Sequence, residues 1–146
     1  MKNKLVNTNN DITGLITRLT LALILFPHGA QKMLGIFGGY GFSGTMGFFT
    51  GTLHLPWIIG FTIIIIEFVG SLSLIVGFAS RVWSAFIILL FIGIIFTAHI
   101  ENGFFMNWFG NQKGEGYEYH LLIIGLALVT LVNGSGRYSI DKMFTQ

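Results

Sequence analysis

Residues 57–78 read WIIGFTIIIIEFVGSLSLIVGF, and this stretch decides the fold class. It holds one charged residue, Glu67, among repeated Ile, Phe and Val residues. A membrane-spanning helix needs about 20 mostly apolar residues. β-branched residues do not signal a strand here, because in hydrocarbon every backbone polar group must be paired within its own segment. The stretch is therefore predicted to be a transmembrane helix.

Three further apolar stretches extend this pattern outward. The predicted helices cover residues 12–33, 56–78, 82–100 and 117–132. Phe42, Met46, Phe48 and Phe49 predict a short amphipathic segment between the first two helices. Residues 77–81 leave room for a tight turn only. The sequence predicts an all-α integral membrane four-helix bundle that forms one domain over residues 1–146.

The composition of the chain supports lipid as its solvent. Of its 146 residues, 53% are hydrophobic and 10% are charged, and the mean hydropathy is +0.74. A soluble domain carries about 25% charged residues. These values argue against a soluble domain, a disordered tail and a nucleic-acid binder. The chain has no cysteine, which excludes disulfides, zinc–thiolate sites, iron–sulfur clusters and thiol redox chemistry of its own.

Basic residues predict the orientation in the membrane. The two ends and the middle turn hold Lys2, Lys4, Arg18, Arg81, Arg137 and Lys142, whereas the other two loops hold Lys32 and Lys113. The positive-inside rule then places both termini in the cytoplasm, as a multi-pass protein of the cell inner membrane. The loops that contain Glu101, Glu115 and Glu118 face outward.

Glu67 is the polar residue that most needs an explanation. A charged side chain at the centre of a spanning helix costs about 2.5–3.5 kcal/mol on insertion scales. Glu67 is therefore expected to face the bundle interior, either protonated or paired, and Arg18 is one candidate partner. Two interpretations stay open, a structural link between helices and a group that carries protons.

The histidines are predicted to gather at the outward end of the bundle. His28 ends the first helix beside Pro27, His99 ends the third, and His120 begins the fourth. Lys32 lies one turn from His28 on the same helix face. Glu101 and Glu118 fall at the same depth, so these side chains are expected to converge.

Such a cluster suits the head group of a quinone, which needs hydrogen-bond partners for two oxygens and a path for two protons. Histidine and carboxylate supply both, and aromatic residues such as Trp108 and Tyr117 would line the apolar part. Haem held by two imidazoles, or a metal ion held by His and Glu, is left open as an alternative. No metal-binding motif is present.

The order of several short stretches resembles the DoxX family of small four-helix membrane proteins. These stretches, which fall within residues 18–141, are Arg18-Leu19, His28–Lys32, Leu55-Pro56, Glu67–Gly70, Val76–Arg81, Thr97–Phe105, Gly116–Tyr119 and Gly134–Asp141. The resemblance implies an inner-membrane protein linked to quinone or quinol enzymes, with DoxD-like thiosulfate:quinone oxidoreductase as a related branch. By resemblance, family-motif positions are held by His28, Lys32, Glu67, Arg81, His99 and Glu118.

We therefore expect a membrane subunit of a quinone-linked oxidoreductase system that works with a redox partner protein. A homo-oligomer is left open. Glu67, His28 and His99 are the expected catalytic residues. The expected binding residues are Lys32, Glu101, Glu118, His120, Trp108 and Tyr117. Arg18 and Arg81 are expected to be structural, and no metal site is expected. A non-catalytic scaffold for a soluble redox enzyme and a small-solute transporter are the alternative functions.

Overall fold

The computed structural model describes residues 7–8 and 10–144, and all regular elements in these residues are helical. The helices are α1 (Ile12–Leu34), α2 (Gly41–Gly47), α3 (Trp57–Val76), α4 (Ser80–Ile94), α5 (Glu118–Asn133) and α6 (Ile140–Met143). A π-helical turn, Phe48–Thr52, follows α2, and a second one, Ile95–His99, follows α4. The all-α prediction is confirmed. Lys2 and Lys4, used in the predicted orientation, lie outside the described residues.

The surface of the helices is apolar, unlike that of a soluble protein, and several polar side chains are buried beside an apolar core. Leu23, Phe96 and Leu122 are 76%, 68% and 67% exposed. Polar side chains are instead among the most buried, namely Arg18, Ser71, Ser80, Ser84, Thr130 and Asp141. Three helical stretches are long and apolar enough to cross a membrane, Ile12–Leu34, Trp57–Val76 and Ser80–Asn102. The apolar exterior is what a lipid environment requires.

The fourth predicted span corresponds to α5. This helix has 16 residues, which gives it a length of about 24 Å. It is therefore shorter than the hydrocarbon layer of about 30 Å. α5 packs against α4 and α1, and α1 packs against α3. The core between them is built from Leu21, Leu25, Ile66, Leu74, Ile87, Phe91 and Ile123, together with smaller residues.

The turn between α3 and α4 is as short as the sequence indicates. Gly77 follows the last residue of α3, and its φ of 69° is in the left-handed region. A Cβ at Gly77 would lie 2.4 Å from Cβ of Ser139, so only glycine fits there. α4 begins three residues later, and the two helices run antiparallel.

The segment between α1 and α3 is amphipathic, in agreement with the sequence. Met46 and Phe49 are buried and pack against Ile64 of α3, whereas Phe48 is 48% exposed. The segment therefore covers the ends of α1 and α3 instead of crossing the bundle.

A clasp of charged side chains closes one end of the bundle, which we call the clasp end. The Arg18 guanidinium is buried and donates hydrogen bonds to five backbone carbonyls, those of Leu74, Ile75, Ser135, Arg137 and Tyr138. The buried Asp141 carboxylate accepts hydrogen bonds from the N–H groups of Ala79 and Ser80, at 2.7 and 3.1 Å. Arg18 thus satisfies carbonyls at the C-terminus of α3, and Asp141 caps the N-terminus of α4.

Candidate functional site

A cavity of about 270 Å³ lies at the opposite end, which we call the histidine end. Five ionisable side chains line it: His28, Lys32, Glu67, His99 and His120. The rest of its wall comes from Ile24, Leu25, Phe91, Ile94 and Tyr119. The lining therefore combines charged and histidine side chains with an equal number of apolar or aromatic ones, and convergent polar groups of this kind orient a ligand.

Lys32 and Glu67 form an ion pair across α1 and α3. Lys32 Nζ lies 2.5 Å from Glu67 Oε2, and the Glu67 side chain is 6% exposed. The helices can approach this closely because Gly29 faces the Glu67 backbone, where a Cβ would come within 2.6 Å of the carbonyl oxygen. The predicted Arg18–Glu67 link is wrong, because Arg18 is bound by carbonyls at the clasp end and Lys32 pairs with the carboxylate.

Two further histidines line the cavity and lie next to each other. The ring centroids of His99 and His120 are 4.3 Å apart. His120 is 8% exposed, and within the described residues its Nδ1 atom is buried with no hydrogen-bond partner. A buried polar atom without a partner costs free energy, so this nitrogen carries a penalty in the wall of the cavity.

The π-helical turn Ile95–His99 places His99 at this position. A π turn holds one residue more than an α-helical turn, and it often marks a functional site. Since each α-helical residue advances by about 100° around the axis, the extra residue reorients the side chains that follow it. His99 Nδ1 lies 2.7 Å from the backbone carbonyl of Glu115, in the loop that leads to α5.

That loop, residues 103–117, is held in place by two carboxylates. Glu118 accepts a hydrogen bond from the N–H of Met106 at 3.0 Å, and Glu115 accepts one from the N–H of Asn107 at 2.8 Å. The Glu115 carbonyl also accepts a hydrogen bond from the Asn102 side chain. The histidine end therefore has an ordered covering.

A second cavity of about 400 Å³ lies beside the first. Its lining is largely apolar and consists of Phe104, Met106, Trp108, Glu118, Tyr119, Leu121 and Leu122. Tyr119 lines both cavities. The two spaces therefore share a wall, one space being polar and the other apolar.

The structure divides the predicted site residues into groups. His28, Lys32, Glu67, His99 and His120 line the first cavity, and Trp108 and Glu118 line the second. Tyr117 packs its ring edge-on against Phe104 next to the second cavity. Glu101 is exposed and lines neither cavity, so its expected convergence with the histidines is wrong. Arg81 bonds the carbonyls of Asn7 and Leu131, away from both cavities.

The donor geometry does not favour the metal or haem alternatives. In the part of the chain that the structure describes, no three His, Asp or Glu side chains are placed to hold a metal ion. Two axial imidazoles on opposite faces of a haem, each with a metal–nitrogen bond near 2 Å, would have centroids roughly 6 Å apart. The 4.3 Å between His99 and His120 leaves no room for a macrocycle.

One important residue was not found from the sequence. Asp141 anchors the clasp end, and its nearest signal is the capping pattern at Ser139, whose hydroxyl accepts a hydrogen bond from the Lys142 N–H. Tyr119 is expected from its depth to be among the aromatic residues that line the cavity, and it lines both cavities. The role of Asp141 does not follow from local sequence, because it depends on which helices become neighbours.

These features define a class, a helical membrane protein with a cavity at one end of its bundle that ionisable side chains line. A model of the DoxX family matches residues 14–100, and this chain belongs to the DoxX family. It is similar to the protein named "Putative oxidoreductase CatD" from Bacillus subtilis (strain 168), with 29% identity over 136 residues, which cover 93% of this chain and 90% of that protein. No solved structure matches the chain.

Proposed function

We propose that this protein is a membrane subunit of a quinone-linked oxidoreductase system, in which the cavity at the histidine end binds a quinone or quinol head group and handles its protons. One observation supports this most directly. His28, Lys32, Glu67, His99 and His120 line one cavity, where His120 Nδ1 is buried and, within the described residues, unpaired. The name of the CatD relative points to the same class of activity.

The size of the cavity suits a single head group. A protein cavity of about 150 Å³ accommodates benzene, and drug-sized ligands occupy upwards of about 300 Å³. The volume of about 270 Å³ therefore fits one substituted ring. A long isoprenoid tail would not fit there as well.

The polar groups come from two pairs of elements, Lys32 and Glu67 from α1 and α3, and His99 and His120 from the π turn after α4 and from α5. Lys32 and Glu67 would bind one oxygen, and His99 and His120 would bind the other. A bound quinone or quinol supplies the electron chemistry and exchanges two protons with its surroundings. Glu67, His28 and His99 are the groups that would take up or release those protons, because carboxylate and imidazole are the side chains that most often act as general acids and bases.

The second cavity would receive the apolar remainder of the molecule. It adjoins the first at Tyr119, and Trp108, Leu121 and Leu122 line it. Glu118 stays bonded to the Met106 N–H and would keep the loop in place. Tyr117 would support this wall through its contact with Phe104.

The proposed topology has four spans, with both termini in the cytoplasm of a cell whose inner membrane holds the protein. The packing of α5 against α4 and α1 supports a fourth span. Local thinning of the bilayer can accommodate a helix that is shorter than the hydrocarbon layer. Because the chain has no cysteine, any thiol chemistry of the system would belong to a redox partner protein.

The test is equilibrium binding of duroquinone, a tail-less quinone, to the protein in lipid nanodiscs. We expect saturable binding that weakens about ten-fold or more in Glu67→Gln and in His120→Phe. Thr62→Val is the matched control, since Thr62 lies on the same helix as Glu67 but is exposed and bonds only to the Ile58 carbonyl. Equal affinity in all four proteins would contradict the proposal.

A non-catalytic scaffold is the second candidate, and the Lys32–Glu67 ion pair favours it as well. An ion pair that ties α1 to α3 is also what a purely structural bundle would use. In that case Glu67→Gln would lower the thermal stability and the recovery of a partner protein together, and duroquinone binding would be absent from the unaltered protein.

A further inference from the structure

We propose that the cavity prefers the reduced, hydroxyl-bearing form of its ligand, a hydroquinone, over the oxidised form, and that His99 makes this selection as a hydrogen-bond acceptor at Nε2. The inference rests on the proposed function and adds to it which form of the head group binds best. It follows from the hydrogen bond between the other ring nitrogen, Nδ1, and the Glu115 carbonyl.

The tautomer of His99 is fixed by the loop that covers the cavity. His99 Nδ1 lies 2.7 Å from the Glu115 carbonyl oxygen. A carbonyl oxygen can only accept, so Nδ1 must carry the hydrogen and donate it. A neutral imidazole has one N–H group, which leaves Nε2 with a lone pair and no hydrogen. Neutral His99 therefore offers the cavity an acceptor.

The loop carbonyl that imposes this choice is itself held in place. It also accepts a hydrogen bond from Asn102 Nδ2 at 3.1 Å, and the Glu115 carboxylate binds the Asn107 N–H. These bonds keep the Glu115 carbonyl within reach of His99 Nδ1. Its role is thus set before a ligand arrives.

The remaining polar groups of the cavity do not favour either the oxidised or the reduced form of the ligand. Lys32 donates, Glu67 accepts and the His28 ring can do either, so together they can bind a hydroxyl or a carbonyl oxygen. No residue in the described part of the chain hydrogen-bonds His120 Nδ1, so nothing fixes the tautomer of that ring. The hydroxyl of Tyr119 both donates and accepts. The selection therefore falls to His99.

A mismatch at His99 has a predictable effect. The hydroxyl of a hydroquinone donates to Nε2, whereas the carbonyl of a quinone would place a lone pair against a lone pair. The mismatch leaves both atoms without a hydrogen bond in the complex, and unpaired polar atoms at a binding site lower affinity about ten-fold.

The experiment compares three tail-less probes with the full chain in lipid nanodiscs under anaerobic conditions. The probes are durohydroquinone, duroquinone and durohydroquinone dimethyl ether, which cannot donate. We expect durohydroquinone to bind at least about ten-fold more tightly than either of the other two. In His99→Phe the ratio should fall to within about two-fold of one. Thr97→Val, two residues away in the same π turn and exposed, should keep the ratio of the unaltered protein.

A second measurement needs no ligand. Nitrogen NMR of protein with isotope-labelled histidine rings reports which nitrogen carries the hydrogen, and the signals of His99 are those lost in His99→Phe. We expect the Nδ1–H tautomer. An Nε2–H tautomer, or equal binding of durohydroquinone and duroquinone, would overturn this inference and leave the proposed function standing. Failure of all three probes to bind would overturn both.

Discussion

Gly29 of α1 lies directly against the backbone of Glu67 in α3, so close that a Cβ at position 29 would be 2.6 Å from the Glu67 carbonyl oxygen. This contact sets the distance between the two helices at the level of the cavity. Lys32, one turn further along α1, reaches the Glu67 carboxylate as a result. One glycine thus determines whether the polar side chains of two helices can meet.

Gly29→Ala is expected to lower the stability of the bundle. The added methyl group would overlap the α3 backbone, and overpacking of this kind costs about 1–3 kcal/mol. The measurement is thermal unfolding in detergent micelles. Gly125→Ala in α5 is the control, because a Cβ there meets nothing within 4 Å. That variant should be as stable as the unaltered protein or slightly more so. An equal effect of the two substitutions would mean that the helices do not cross at Gly29.

A double substitution separates the structural role of the ion pair from its role in binding. Lys32→Met leaves the Glu67 carboxylate buried and unpaired, and such a loss costs about 3–5 kcal/mol. The combined Lys32→Met, Glu67→Leu protein should regain most of this stability, since an apolar pair can replace a buried ion pair. It should nevertheless bind duroquinone at least about ten-fold more weakly. Chemical unfolding and equilibrium dialysis of the same samples test this, and full binding by the stable double variant would assign the pair a structural role only.

His120→Phe should leave the protein as stable as before, or more stable by up to about 1 kcal/mol. The substitution removes a buried nitrogen that has no partner among the described residues, and removal of an unsatisfied polar atom relieves a penalty. Duroquinone binding should weaken in the same variant. A gain in stability at the expense of function is common for substitutions at functional sites. Marked destabilisation of His120→Phe would show that the imidazole is needed for packing.

Arg18→Lys is expected to destabilise the clasp end by at least about 3 kcal/mol. Lysine has three donors on one atom, so it cannot replace the planar guanidinium that binds five carbonyls. Each hydrogen bond to a charged group is worth about 1.5–3 kcal/mol. Arg137→Lys is the matched control, because Arg137 is exposed and surface changes stay within about 0.5 kcal/mol. Thermal unfolding of the two variants would show the difference, and duroquinone binding at the distant cavity should persist in both.

The sequence predicts the membrane class, the helical stretches and most members of the first cavity, because each of these follows from local hydropathy or from the depth of a residue along its helix. His28, His99 and His120 share one level for that reason. The partner of Glu67 could not be predicted in this way. It depends on the rotation of α1 against α3 and on the contact at Gly29, which no local pattern encodes.

The same limit applies to His99 and Glu101. Both lie near the end of one apolar stretch, and a regular α-helix would have been the simplest expectation for it. The π turn Ile95–His99 places His99 at the cavity, and the 3₁₀ turn that follows leaves Glu101 exposed. Backbone irregularities of this kind arise from packing with α5 and the loop, so they become visible only in three dimensions.

The clasp also constrains the order in which the protein can be completed during biosynthesis. Arg18 leaves the ribosome early, but three of its carbonyl acceptors, Ser135, Arg137 and Tyr138, are synthesised more than a hundred residues later. Until then the first helix holds a cation that lacks three of its five carbonyl acceptors. Synthesis of residues 135–138 is therefore the step that locks the assembled helices, and a ribosome that stops before them would release a bundle in which Arg18 is only partly bound.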